Sequence, residues 1–367
     1  MAVSSLLQPF RCKSLTLANR IVMAPMTRYF SPGGVPTSEV ADYYRRRAKG
    51  DVGLLITEGV ATDRPASRNN ENVPTLYGDA ALAGWRHVVG EVHGAGGRIA
   101  PQLWHTGPVP DSIGIYPLSP EVESPSAYYS EDVRPGRAMS DKDIEEVAAS
   151  FARAAMTAKR LGFDCIEFHG AHSYIFDLFF WPKTNFRTDR YGGPDFANRT
   201  RFAVEVIEAV RAAVGEDFVL IFRFSQWKQQ DYGARVAETP AELEAWLTPL
   251  ADAGIDIFDC SQRRFWEPEF AGSDLNLAGW AKKVTGKATM TVGSVGLTDE
   301  FLGSLAEDGA IGVTGLASVA ERLDRGEFDL VGVGRALLTD PDWLVKIRDD
   351  RIGELIPFQR AQIETLY

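Results

Sequence analysis

The sequence predicts an α/β protein built as a (β/α)8 TIM barrel, and three observations carry that expectation. Eight short apolar runs rich in β-branched residues alternate with longer stretches of helical period. The runs are continuously apolar rather than alternating, the pattern of a parallel sheet covered by helices. No Gly-x-Gly-x-x-Gly follows the first run, which argues against the competing doubly wound open sheet. A barrel needs roughly 250 residues, so the 367 present are expected to form one barrel domain, residues 1–367, with surplus chain to place.

In chain order the expected strands are 20–27, 52–60, 98–107, 163–172, 218–227, 254–263, 288–295 and 328–335. Segment 141–161 opens at Ser140 with Asp143 three residues on, a capping box with Asp in the usual Glu place. Val147, Phe151, Ala154, Ala155 and Ala158 then fall on one helical face. Segments 196–214 and 241–253 read the same way, ending near Gly215 and Gly254. The surplus sits at 105–139, rich in Pro, Ser, Gly and Tyr, an extended loop after the third strand expected to act as a lid over the C-terminal mouth.

Composition narrows the function. Lys+Arg 39 against Asp+Glu 50 gives a net charge of −11, the wrong sign for a nucleic-acid partner. No apolar run reaches the roughly 18–20 residues of a membrane helix. The N-terminus has no basic region followed by an apolar stretch, so no secretory signal is expected. Cys12, Cys165 and Cys260 are isolated, which reads as reduced thiols in a cytoplasmic protein and leaves too few ligands for a four-cysteine cluster.

The polar residues inside the strands are not scattered. Thr27, Gln102, His169, His172 and Arg223 lie at or past the C-terminal half of an apolar run, the end where a barrel carries its active site. Gly293-Ser294 and Gly334-Arg335 end the seventh and eighth runs, where barrels often bind phosphate; the bland alternative is a pair of tight turns with a surface arginine. His169 and His172 are spaced as metal ligands on a helical turn, as paired donors to a developing oxyanion, or as a satisfied core pair. No third ligand or His-Glu-x-x-His motif accompanies them, so no metal is expected. Tyr174 follows closely and, protonated at neutral pH, is suited to general-acid work. Arg223, inside an apolar strand, needs an anionic partner, and none stands nearby in sequence, which points to an anionic ligand.

Taken together these segments resemble the old yellow enzyme family of FMN-dependent ene-reductases. Asn19-Arg-Ile-Val-Met-Ala-Pro-Met-Thr-Arg28, Gln102-Leu-Trp-His-Thr-Gly107, His169-Gly-Ala-His-Ser-Tyr174 and Thr184-Asn-Phe-Arg-Thr-Asp-Arg-Tyr-Gly-Gly193 are similar to its motifs in order and spacing, across nearly the whole chain. The resemblance implies tightly but non-covalently bound FMN, with NADPH or NADH as hydride donor. Pro25, Met26 and Thr27 would line the flavin, Gly59 would let the second strand approach its ring, and Gln102 would bond its pyrimidine side. Arg223 would sit by N1/O2, and Gly293, Ser294, Gly334 and Arg335 would bind the phosphate.

The implied mechanism is ping-pong. Hydride passes through flavin N5 to the β-carbon of an activated alkene, a small molecule carrying a carbonyl or nitro group. His169 and His172 would hold its oxygen and Tyr174 would protonate the α-carbon. Ser173, Trp181, Ser225-Gln226-Trp227 and the bulky Arg263–Pro268 stretch depart from the family pattern around the substrate. The protein is expected to act as a monomer or homodimer. Two other readings compete: a metal-dependent barrel hydrolase or lyase using His169 and His172, and a flavin-binding protein without turnover.

Overall fold

The protein, a computed structural model, is described over residues 3–110, 122–130, 132–297 and 315–367. Eight parallel strands close into a barrel: β3 (Ile21–Met23), β4 (Leu54–Ala61), β5 (Ile99–Trp104), β8 (Cys165–His169), β9 (Val219–Phe224), β10 (Ile257–Ser261), β11 (Ala288–Val292) and β12 (Leu330–Val333). They neighbour one another in chain order, and β12 returns to β3 with Val331 opposite Ile21 and Gly332 opposite Val22. Each overlaps one of the eight expected runs; most are shorter, and β4 runs one residue past its expected end.

Helices fill the connections and cover the outside. Asp141–Leu161 and Phe196–Val214 have the expected bounds, and the third expected helix spans Pro240–Asp252. Ser140 Oγ accepts from Asp143 N at 3.3 Å while Asp143 Oδ2 accepts from Ser140 N at 2.8 Å, so both halves of the capping box form.

The strands alternate. Leu220, Phe222 and Phe224 face the helices, as do Ile166, Phe168 and Phe258, whereas Cys165, Val219, Ile221 and Ile257 join a separate cluster inside the barrel. That inner cluster also takes Phe10, Leu15 and Leu17 from an N-terminal hairpin the sequence reading did not anticipate, β1 (Phe10–Cys12) against β2 (Leu15–Leu17). Its turn binds the approach to β9, where Ser14 Oγ donates to Asp217 O at 2.6 Å. The hairpin therefore plugs the N-terminal end of the barrel, leaving the C-terminal end for chemistry.

The expected loop 105–139 is described except for residues 111–121 and 131. Its described part is pinned by a buried carboxylate. Glu123, on β6 (Glu123–Ser124), accepts from Arg64 Nε and Nη2 at 2.9 and 2.8 Å, from Arg137 Nη2 at 2.8 Å, and bonds His105 Nε2 at 3.1 Å. Arg137 belongs to β7 (Arg137–Ala138), which pairs with β6. Burial alone would raise Glu123, but Arg64 and the hydrogen bond with His105 hold it down at a pKa of about 2.

Candidate active site

Alternation places the chemistry. Within β5, β8, β9 and β10 the inward positions run from apolar to polar toward the C-terminal end: Ala100 then Gln102, Cys165 then Glu167 and His169, Ile221 then Arg223, Ile257 then Asp259 and Ser261. Parallel register sets His169 beside Arg223 and Arg223 beside Asp259. A buried hydrogen-bonded chain results. Gln102 Nε2 donates to Glu167 Oε1 at 2.8 Å, Arg223 Nη1 donates to Asp259 Oδ2 at 2.9 Å, and Arg223 Nη2 reaches Ser261 Oγ at 3.3 Å. Ser261 Oγ in turn lies 2.9 Å from His172 Nε2.

Arg223 thus corrects the expectation of a missing anion. Its partner is Asp259, 36 residues away in sequence and one strand away in space. Arg223 Nε nevertheless has no partner among the described residues, and neither does His169 Nδ1. Buried donors are seldom left so, and both stand at the mouth.

His169 ends β8, but His172 is not on a helical turn. His172 and Ser173 have φ of 61° and 67°, a left-handed corner that turns the chain back over the barrel. The corner brings the two imidazoles edge to face with centroids 5.2 Å apart, and sets the Tyr174 ring 4.6 Å from His169. Trp104 stacks on His169 and meets Tyr174 edge-on at 4.9 Å. Burial, and after it the Arg223 charge, pushes His169 well below the ordinary histidine pKa. Burial does the same to His172, helped by His169 and Arg223. Burial pushes the Tyr174 hydroxyl far up, only partly opposed by a hydrogen bond from Gln229. At neutral pH the mouth therefore presents two neutral imidazoles and a protonated phenol.

A loop after β9 braces this corner. Ser225 Oγ accepts from His172 N, Gln229 Nε2 donates to His172 O at 3.0 Å, and Trp227 stacks on the His172 ring at 4.3 Å. Beneath it Lys228 Nζ donates to Asp177 Oδ1 at 2.6 Å, and Asp177 Oδ2 accepts from Ser173 N at 2.7 Å. Ser173 contributes its hydroxyl to Gln230 and to Gln229 N, so serine in place of glycine anchors the loop.

Across the barrel, Pro25, Met26 and Thr27 follow β3, with Thr27 exposed and no hydrogen bond linking it to the histidines. The segment is fixed by Glu58, whose Oε2 accepts from Arg28 N at 2.8 Å and Tyr29 N at 3.1 Å. Burial raises Glu58 to a pKa of about 7, the two N–H groups opposing it. At Gly59 a Cβ would stand 2.3 Å from Trp104 Cε3, so the bare position seats the indole. Gly293 has φ of 155°, and a Cβ on it would come within 2.8 Å of Gln262 O. Ser294 Oγ donates to Arg263 O at 2.9 Å, clipping the loops after β10 and β11 together. Gly334 precedes the short helix Arg335–Thr339 and lies against Met26, while Arg335 reaches over the Phe358 ring.

Sequence reasoning missed Glu58, Glu167, Asp177, Lys228, Asp259 and Ser261. A usable signal existed for three of them. Glu167 precedes His169 by two, and Asp259 precedes Ser261 by two, the spacing of one strand face inside an otherwise apolar run. Among the described residues no group of three or more His, Cys, Asp or Glu could hold a metal, and His172 Nε2 is occupied by Ser261.

A plugged parallel barrel with neutral donors, a phenol and a buried guanidinium at its open mouth defines a barrel enzyme built to stabilise developing negative charge. Residues 5–354 match the NADH:flavin oxidoreductase / NADH oxidase family. The chain belongs to that family, the old yellow enzyme group its motifs resemble. It is 34% identical over 354 residues to an NADH oxidase of Thermoanaerobacter brockii, covering 94% of this chain but spanning about half of that relative, 51%. It is 33% identical to an NADPH dehydrogenase of Bacillus subtilis (strain 168), covering 92% of each chain. Morphinone reductase, solved in complex with tetrahydroNAD, superposes with a TM-score of 0.79 at 28% identity, over 98% of this chain and 93% of that one.

The family's cofactor is FMN, and the residues present fit it. The unpaired Arg223 Nε supplies a fixed positive donor at the mouth, and Gly334, part-exposed after β12 at the start of a short helix, leaves backbone open to an anion. The family assignment overturns the reading as a metal hydrolase. No described helix is long and apolar enough to cross a membrane.

Proposed function

We propose that this chain is an FMN-dependent oxidoreductase that takes hydride from NADPH or NADH and reduces the C=C bond of small activated alkenes, enones and nitroalkenes. The observation that carries the reading is the grouping of His169, His172 and Tyr174, with centroids 4.6 and 5.2 Å from His169, each in the protonation state the chemistry needs. When bound, FMN supplies the hydride chemistry. Pro25, Met26, Thr27 and Gly59 would line its ring, Gln102 and Arg223 would take its pyrimidine edge, and Gly293, Ser294, Gly334 and Arg335 would hold its phosphate.

The residues then divide the work on the alkene. His169 and His172 donate N–H to its carbonyl or nitro oxygen and stabilise charge developing there. Arg223 donates to Ser261, leaving the serine proton for His172 Nε2, so His172 presents Nδ1–H to substrate. Tyr174 delivers the proton to the α-carbon. The 105–139 loop acts as a lid, and the enzyme works in the cytoplasm as a monomer or homodimer.

The test is the visible spectrum of purified protein under anaerobic conditions. A flavin band that bleaches with NADPH and returns with cyclohexenone is expected. A flavin that bleaches but is not reoxidised by any enone or nitroalkene would refute the alkene reading, and protein that refuses FMN would refute the whole.

A further inference from the structure

The buried chain under the mouth contains one anion too many. Glu167 and Asp259 are both fully buried, and Arg223, hydrogen-bonded to Asp259, is the cation beside them. The segments outside the described residues contain no lysine or arginine to balance the second carboxylate. Gln102, the other partner of Glu167, is neutral. A desolvated carboxylate without a counter-ion costs several kcal/mol, and two carboxyls sharing one site cannot both ionise.

The hydrogen bonds say where the proton goes. Glu167 Oε1 accepts from Gln102 and Asp259 Oδ2 accepts from Arg223, each as an oxygen must. The other two oxygens, Glu167 Oε2 and Asp259 Oδ1, have no donor among the described residues, and the two carboxyls face each other from the strands on either side of β9. Two acceptors cannot bond without a hydrogen between them. One proton on Glu167 Oε2, donated to Asp259 Oδ1, satisfies all four oxygens at once.

We propose that Glu167 is a positioning residue that carries this proton permanently, so that Asp259 alone is ionised and the chain Gln102–Glu167–Asp259–Arg223–Ser261–His172 has no net charge. Burial and the facing Asp259 both raise the Glu167 pKa well above the carboxylate range; burial raises Asp259 too, but there Arg223 opposes the rise through its hydrogen bond as well as its charge. The arrangement fixes what reaches the cofactor. Arg223 is compensated once, not twice, and Gln102 is held by a neutral acid rather than drawn to an anion. The electrochemical consequence rests on the flavin reading; the proton itself does not.

Two measurements separate these. Infrared spectra of the wild-type protein at pH 9, where Glu58 is ionised, are expected to show a protonated-carboxyl C=O band that shifts in deuterium oxide. Glu167→Gln removes the band. Asp259→Asn removes it too, because Glu167 then ionises as the sole partner of Arg223. On the flavin, Glu167→Gln replaces one neutral group by another and leaves the midpoint potential unchanged. The double variant Glu167→Gln/Asp259→Asn strips the only anion from Arg223 and raises the potential. Absence of the band in wild type, or a Glu167→Gln potential raised as far as the double variant's, would show Glu167 ionised and overturn the assignment. A band present in protein that binds no flavin would sustain the proton and sink only the cofactor reading.

Discussion

Removing Lys228 tests how the catalytic corner is held. Lys228 and Asp177 are both fully buried, and their Nζ to Oδ1 bond is 2.6 Å. Burial is the first influence on each, raising Asp177 and lowering Lys228, so each tolerates its charge only because of the other. Lys228→Met leaves Asp177 with one N–H, from Ser173, and no cation. Breaking a buried pair from one side costs about 3–5 kcal/mol. For 367 residues the unfolding entropy is about 0.8 kcal/mol per degree, so thermal melting is expected to fall by about 4–6 °C. The penalty shrinks at low pH, where Asp177 takes a proton and its raised folded pKa becomes favourable. Asp177→Asn/Lys228→Met recovers most of the loss, since the amide oxygen still accepts from Ser173 and no charge is buried. Urea melts of the two singles and the double form the cycle. A Lys228→Met loss under about 1 kcal/mol, or a double no better than that single, would refute the reasoning.

Gly59→Ala drives a methyl to within 2.3 Å of the Trp104 indole; overpacking of about 1–3 kcal/mol is expected in a denaturant melt. The displaced indole should also cost kcat more than flavin binding, since it stacks on His169 and edges Tyr174. Glu58 binds its proton more tightly folded than unfolded, so its contribution is complete below pH 4.5 and lost as pH rises toward 7. The change is worth about 3 kcal/mol, and Glu58→Gln should flatten it in urea melts between those limits. Glu123 has the opposite sign: its stability is present above pH 4.5 and lost as pH falls toward 2. Arg64→Ala should therefore move the acid-unfolding midpoint, followed by circular dichroism, to higher pH.

What the sequence made legible was what is local. Helix 141–161 carries its start in adjacent residues, a capping box at Ser140, and that box is found. The eight strands announced themselves as apolar runs because both faces are buried. The N-terminal hairpin escaped because each arm is three residues, too short for any period to register. Asp259 escaped for another reason. Its pairing with Arg223 exists only through the β9–β10 register, and register is a property of the closed sheet rather than of either strand. That Gly59 also seats the Trp104 indole escaped for the same reason, since that side chain lies 45 positions on.

The inner face of the barrel explains why polar residues accumulate at one end only. The hairpin residues Phe10, Leu15 and Leu17 pack the lower lumen together with Leu54, Ile257 and Met290, a hydrocarbon filling with no partner for a charge. Two positions higher on the same strands, Glu167, Arg223 and Asp259 are still fully or nearly buried, and each is tolerated only through a named partner in the neighbouring strand. One step further, His169, Ser261 and the turn to His172 reach the mouth, where a donor without a protein partner has a use. The gradient from apolar lumen to paired charge to unpaired donor is two residues per step, the pleat of the strand. Rigidity follows from it: the groups that meet substrate are held by a hydrogen-bonded polar layer, which in turn rests on packed hydrocarbon. A site assembled in this order has its donors aimed before anything binds, as stabilising a charge that develops only during reaction requires.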